Sequence, residues 1–235
     1  MKNNGADYIP PLWTGQECWI IGGGYSLIEE FEVPYDLYKQ IAEGQTQISA
    51  LSPYLEPLQN QYVIGTNLAY QLGDWVDVLY FSDCSFFLYH QNALSQFGGM
   101  KFSSCKRFQK NKSRGVRYLP KHPELKTGLT DMPGHIIWNY NSGFAAINLA
   151  LHMGATRIVL VAFDMRNGPN GETHWHGGHA EKVDTRKGNP YKRHLKGARA
   201  IAQQAKKRGV EIINATPRSS IEAFPKCSVK ELFYG

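Results

Sequence analysis

A chain of 235 residues can form one large domain that buries most of the surface its unfolded form exposes. Its four cysteines, Cys18, Cys84, Cys105 and Cys227, form no Cys-x-x-Cys pair, which speaks against a zinc ribbon or a disulfide framework and predicts reduced thiols in a cytoplasmic setting. With 26 Lys and Arg against 20 Asp and Glu, the net charge of +6 suits an anionic partner: a nucleotide, a polyanion such as nucleic acid, or a membrane surface touched peripherally. The first residues show no cationic segment followed by an apolar core, and no later apolar run reaches the roughly 18 residues of a membrane span, so neither secretion nor integral membrane insertion is expected.

In chain order, the first apolar run, 18–21, ends at Gly22-Gly23-Gly24 and predicts a strand entering a glycine turn. A helical pattern follows over 36–43, then a strand over 62–64 before Gly65-Thr66-Asn67 and another over 76–81 before Ser82-Asp83. A helix is expected over 86–95. Segment 98–135 is rich in Lys, Gly, Ser and Pro and reads as an inserted excursion or lid with one short strand at 116–119. A helix over 142–153 ends at Gly154, a strand over 158–163 ends at Asp164, and a helix over 190–208 opens with Asn189-Pro190 and closes at Gly209. A last strand spans 210–214. Strands alternating with helices in this way predict βαβ units: an α/β fold, one domain over 1–235, with a mostly parallel sheet flanked by helices.

In such a sheet ligands bind outside the carboxyl ends of the strands, so the residues just after each strand are the functional candidates. Gly22, Gly24 and Ser26 form a turn whose backbone a phosphate or ribose can approach, although Leu27 stands where a dinucleotide fingerprint has its third glycine. Asn67 and Asp83 end two further strands. Asn141-Ser142-Gly143 opens an apolar helix, where Asn or Ser can cap and the first N–H groups favour an anion. Asp164 directly follows the strand over 158–163. After it comes His174-Trp-His-Gly-Gly-His179, flanked by Glu172 and Glu181; three imidazoles so close suit a metal, an acid or base on a loop, or a plain surface loop. His194 is the reserve acid–base candidate. No metal site is assigned.

Taken together these residues resemble the bacterial sialyltransferases that use CMP-sialic acid, and more loosely the Rossmann-type domain of motility accessory factors and archaeal 6-hydroxymethylpterin diphosphokinases. The resemblance runs over most of the chain: Gly22-x-Gly24-x-Ser26-Leu27, Asn67, Asn141-Ser142-Gly143, Ala162-Phe163-Asp164, Gly178-His179, and Thr216-Pro217-Arg218-Ser219 after a closing helix and strand. It implies a Rossmann-like, GT-A-like domain that transfers a sugar from a nucleotide-activated donor to an acceptor hydroxyl. It further implies nucleotide contacts from Gly22, Gly24, Ser26, Asn67, Ser142, Gly143 and Asp164, His179 as the base, and no required metal or cofactor beyond the donor itself. Where the family has a tyrosine near the leaving phosphate, this chain has Met165-Arg166-Asn167, and Arg166 can neutralise a phosphate instead. Two other classes stay open: a Mg²⁺-dependent phosphoryl or diphosphoryl transferase drawing on Asp83, Asp164 and Glu172, and a non-catalytic nucleotide- or nucleic-acid-binding module served by the basic stretch 106–114.

Overall fold

The computed structural model describes residues 6–110, 114–177 and 190–235. Among these residues seven strands form one sheet: β1 (Glu17–Ile21), β2 (Val63–Thr66), β3 (Val78–Phe81), β4 (Met100–Ser103), β5 (Val116–Tyr118), β6 (Arg157–Val161) and β7 (Glu211–Asn214). The order is β5-β4-β3-β2-β1-β6-β7 and every ladder is parallel. Parallel strands need crossovers, and helices here supply them on both faces. They are α1 (Ser26–Glu30), α2 (Tyr35–Ala42), α3 (Cys84–Gln96), α4 (Ser142–His152), α5 (Pro190–His194), α6 (Ala198–Lys207) and α7 (Val229–Tyr234), with 3₁₀ turns at Ile48–Leu58, Asn67–Leu72, Lys106–Gln109 and Leu195–Gly197.

Burial on both faces explains why the strands read as continuous apolar runs. Trp19 and Ile21 of β1 face the layer built from α1, α2, α3 and α7, while Cys18 and Ile20 face α4 and α6. Helix α4 lies under the sheet centre and is buried at every position from Gly143 to Ala150, as its apolar sequence requires. Its one polar core residue, Asn148, accepts from Thr130 N and Ile137 N and donates to Thr130 O at 3.0–3.3 Å, which fastens segment 128–137 to the helix. The stretch expected as one helix over 190–208 is divided by the 3₁₀ turn, because Gly197 passes close to buried Asn139: a Cβ there would lie 2.6 Å from the Asn139 Oδ1.

Two expectations change. Strand β4 lies inside the segment read as an excursion and, with β5, extends the sheet outward; its four residues, Met-Lys-Phe-Ser, are too few to signal a strand, and pairing to β3 decides the matter. The four cysteines are not all thiols. Phe81 of β3 pairs with Ser103 of β4, so the chain ends leaving these two strands stand side by side, and Cys84 and Cys105 form a disulfide with Cα atoms 5.3 Å apart. Spacing along the sequence cannot reveal that adjacency. Cys18 and Cys227 remain free, and a cytoplasmic setting loses the four free thiols on which it was inferred. Among the described residues no helix is long and apolar enough to cross a membrane.

Candidate functional site

Strand order reverses between β1 and β6: successive strands run outward from β1 to β5 on one side, and β6 and β7 lie on the other. At such a reversal a ligand site is expected at the sheet's carboxyl edge. The turn after β1 and the loop after β6 meet there. Gly22 N donates to Val161 O (2.8 Å) and Gly24 N to Ala162 O (2.9 Å). A Cβ on Gly22 would lie 2.5 Å from Ala162 O, and one on Gly24 would lie 2.6 Å from each Asp164 carboxylate oxygen. The space these glycines leave is filled by the β6 loop.

Ser26, expected to meet a ligand, is tied to Asp164 through both its groups: its backbone N donates to Oδ2 (2.9 Å) and its hydroxyl to Oδ1. Thr216 Oγ1 lies 3.4 Å from the same hydroxyl. Asp164 is only 6% exposed, and burial pushes its carboxyl above the ordinary range, with the Ser26 hydrogen bonds opposing that rise. Ala162 and Met165, on either side of the Phe163-Asp164 pair, hold φ of 60° and 50°, unusual for residues with a side chain. Such strain persists where the surroundings over-determine the backbone, and here the crossed hydrogen bonds do so.

Beside Asp164 lies a small pocket lined by Ser26, Glu29, Arg166, Thr216 and Arg218. Arg166 Nη1 donates to Arg218 O at 3.4 Å, and Arg218 pairs with Glu29 at 3.4 Å, so two guanidinium groups border one carboxylate pocket. Tyr191, at the start of α5, donates to Asn167 Oδ1 (2.9 Å), and burial followed by the Asp164 charge raises its pKa. His194 is half-buried, 6.5 Å from the Tyr191 ring between centroids, and burial together with Arg193 holds its imidazole pKa below the ordinary value. Thr216, Arg218 and Tyr191 gain their role from folding; only Thr216-Pro217-Arg218-Ser219 carried any sequence signal, and Tyr191 carried none.

The histidine loop lies across the glycine turn. Trp175, fully buried, donates from Nε1 to Gly22 O (2.8 Å) and from its backbone N to Gly23 O (3.3 Å). His174 and His176 stack at 4.9 Å, and His176 meets the Trp175 ring edge-on at 4.7 Å. His176 is therefore a packed residue, 6% exposed. Gly178, His179 and Glu181 lie outside the described residues. Among the described residues no group of three or more His, Cys, Asp or Glu side chains gathers as metal ligands.

Further along the same edge, Asn141 caps α4 by accepting from Phe144 N (3.0 Å), and a Cβ on Gly143 would lie 2.6 Å from the Phe163 ring, so this helix start packs directly on the β6 loop. Ser142 Oγ lies 3.4 Å from Ser82 Oγ, which continues through Tyr80 (3.1 Å) to Ser104 (3.2 Å). Burial raises the Tyr80 phenol to about 12. Asn67 follows β2 in the left-handed region (φ 50°), and its buried Oδ1 has no hydrogen-bond partner among the described residues. Asp83 is exposed at the head of α3 and makes no capping bond. The candidates described here thus share one edge of the sheet, where the Gly22–Gly24–Ser26–Asp164 group, the Gly143–Phe163 contact, the Ser142–Ser82 pair and the His174–His176 stack touch directly.

This architecture defines an α/β protein of the Rossmann-like class with a small polar pocket beside its topological switch point. No protein-family model and no curated protein matches the sequence. Among solved structures, the fold is similar to that of the sialyltransferase CstII from Campylobacter jejuni, determined in complex with a substrate analogue, cytidine-5'-monophosphate. The two are 16% identical, the match covers 90% of this chain and 84% of that one, and the TM-score is 0.51. The likeness is one of fold.

Proposed function

We propose that this protein is a glycosyltransferase that takes a sugar from a nucleotide-activated donor, CMP-linked, and passes it to an acceptor hydroxyl. The observation that carries the reading is the small pocket beside Asp164, bordered by Arg166 and Arg218, on a fold similar to that of a transferase solved with CMP. In this scheme the donor's nucleotide lies along the edge from Ser26 to Ser142, with Gly22, Gly24, Asn67, Asn141, Gly143 and Asp164 shaping its floor. As the bond between the anomeric carbon and the phosphate oxygen breaks, the acceptor oxygen forms the new bond to that carbon and the electron pair leaves with the phosphate. Arg166 and the N–H groups of the first turn of α4 stabilise that charge. His179 takes the acceptor hydroxyl's proton, and His194, whose pKa burial and Arg193 lower, is the second candidate.

Titration calorimetry of the whole protein against CMP, UDP, GDP, ATP, NAD and a single-stranded oligonucleotide, with and without Mg²⁺, tests the donor class. CMP binding that needs no Mg²⁺ is expected. Binding of ATP that depends on Mg²⁺, with none of CMP, replaces this reading with phosphoryl or diphosphoryl transfer, and binding of single-stranded nucleic acid alone replaces it with a non-catalytic module.

A further inference from the structure

The turn that leads into α4 carries two half-exposed aromatic rings, Trp138 and Tyr140, with centroids 4.8 Å apart and planes inclined by 50°. Lys121 stands over the Trp138 ring at 4.2 Å, and Lys196 over the Tyr140 ring at 5.9 Å. The result is a row, Lys–Trp–Tyr–Lys, ending two residues before Ser142. It is assembled from three separate stretches. Lys121 leaves β5 and bridges to Ile136, and Lys196 comes from the 3₁₀ turn after α5.

The backbone under the rings is built at a cost. Asn139 and Tyr140 are consecutive residues with φ of 53° and 57°, the left-handed region that residues with a side chain enter uncommonly. Asn139, fully buried, secures it: its Oδ1 accepts from Gly128 N (2.7 Å), and its Nδ2 donates to Gly128 O (3.0 Å) and Ile137 O (3.1 Å). The same side chain packs on Gly197, which sets Lys196 beside Tyr140. Held rigid, the rings lose little entropy when something lies on them.

We propose that Trp138 and Tyr140, flanked by Lys121 and Lys196, are the acceptor subsite, and that it takes a saccharide bearing a carboxylate or phosphate. This rests on the glycosyltransferase reading. The apolar C–H face of a sugar ring covers an aromatic plane, and each ammonium, already held over a ring, can meet an anion at the edge of that sugar. Asp83 and Lys106 are the charged groups that Lys121 feels, so the row is not uniformly cationic. The inclination of the rings makes a notch for a puckered ring, whereas a nucleobase stacks on flat successive platforms.

The test is saturation-transfer NMR and calorimetry on the whole protein with four probes: a glucuronate-terminated disaccharide, lactose 6-phosphate, neutral lactose and oligothymidylate. An acidic saccharide should bind about tenfold tighter than lactose. Lys121→Gln with Lys196→Gln should remove that preference and leave lactose binding unchanged, while Trp138→Ala should weaken every saccharide and Trp138→Phe should restore most of it. Should Trp138→Ala not fold, the exposed lysine pair carries the test alone. The carboxylate and phosphate probes tell which anion is preferred. Equal binding of acidic and neutral sugars, acidic binding that the lysine pair does not affect, or oligothymidylate binding in place of saccharide overturns the proposal. CMP is titrated in parallel: CMP binding without saccharide binding overturns the acceptor subsite alone, and loss of both removes the donor reading as well.

Discussion

At the scale of single residues, Asp164 is the most consequential side chain, because one buried carboxylate satisfies a backbone N–H and a hydroxyl of the turn across the crevice. Asp164→Ala should strand both Ser26 donors and lower stability by about 1–3 kcal/mol in urea unfolding, with Asp164→Asn, which keeps one acceptor, losing less. Gly24→Ala should destabilise comparably, since its Cβ meets the same carboxylate; a neutral result in both would mean that the turn does not depend on this contact. The sequence marked Ser26 and Asp164 as individuals at strand ends, but not as partners 138 residues apart. For the base, His179→Ala should reduce turnover by on the order of 10² to 10⁴ with donor affinity nearly unchanged. If His194→Ala is the inactive variant instead, its lowered pKa predicts an acid limb of the rate profile below the usual imidazole value of about 6.5, because the neutral ring is already present there.

Among elements, β3 and β4 show how legibility depends on neighbours. The strand before Ser82-Asp83 announced itself by its apolar run, whereas β4, with Lys101 turned back to donate to Phe97 O (2.8 Å), takes its conformation from pairing. The disulfide between them was invisible for the same reason: cysteines 21 residues apart are neighbours only once the register exists. Closing a loop of that size should stabilise by roughly 3 kcal/mol, so reduction, or Cys84→Ser with Cys105→Ser, should lower the urea midpoint by a corresponding amount. An unchanged midpoint on reduction would show that the bond constrains nothing that packing does not already hold. By contrast, the start of α4 was fully legible, because Asn141 caps through its own side chain, a local interaction.

At the scale of the whole molecule, burial shifts two imidazoles among the described residues. Burial lowers the pKa of His152, whose Nε2 donates to His135 O (2.8 Å), and burial with Arg193 lowers that of His194. A histidine kept neutral in the fold takes up a proton more readily when unfolded, so these groups contribute stability that is complete above the unfolded value of about 6.5 and is lost as the pH falls through it toward the folded values. Thermal unfolding between pH 7.5 and 5 should show the decline, and His152→Gln should flatten it; a profile that is level there, or rises on acidification, contradicts the assignment. Fold class was legible across the chain because a doubly covered parallel sheet writes itself as apolar runs ending in polar residues. What stayed hidden, such as Tyr191 beside Asn167 or Trp175 over Gly22, arises from contacts between loops that share no local pattern.

The position of β1 has a further meaning for how the chain reaches its native state. Near the middle of the sheet, β1 takes β2 on one side soon after synthesis, but its other edge is completed by β6, with Ile21 beside Val161. Until that distant segment emerges, a nascent chain ending before Arg157 presents an unpaired apolar strand along its central seam, the kind of edge that recruits other chains. A fragment ending at residue 150 should therefore aggregate where the full chain does not, and should regain solubility when residues 151–235 are supplied as a second piece during refolding. Assembly from either end alone is incomplete, and the crevice comes into being only when the two halves of the sheet join.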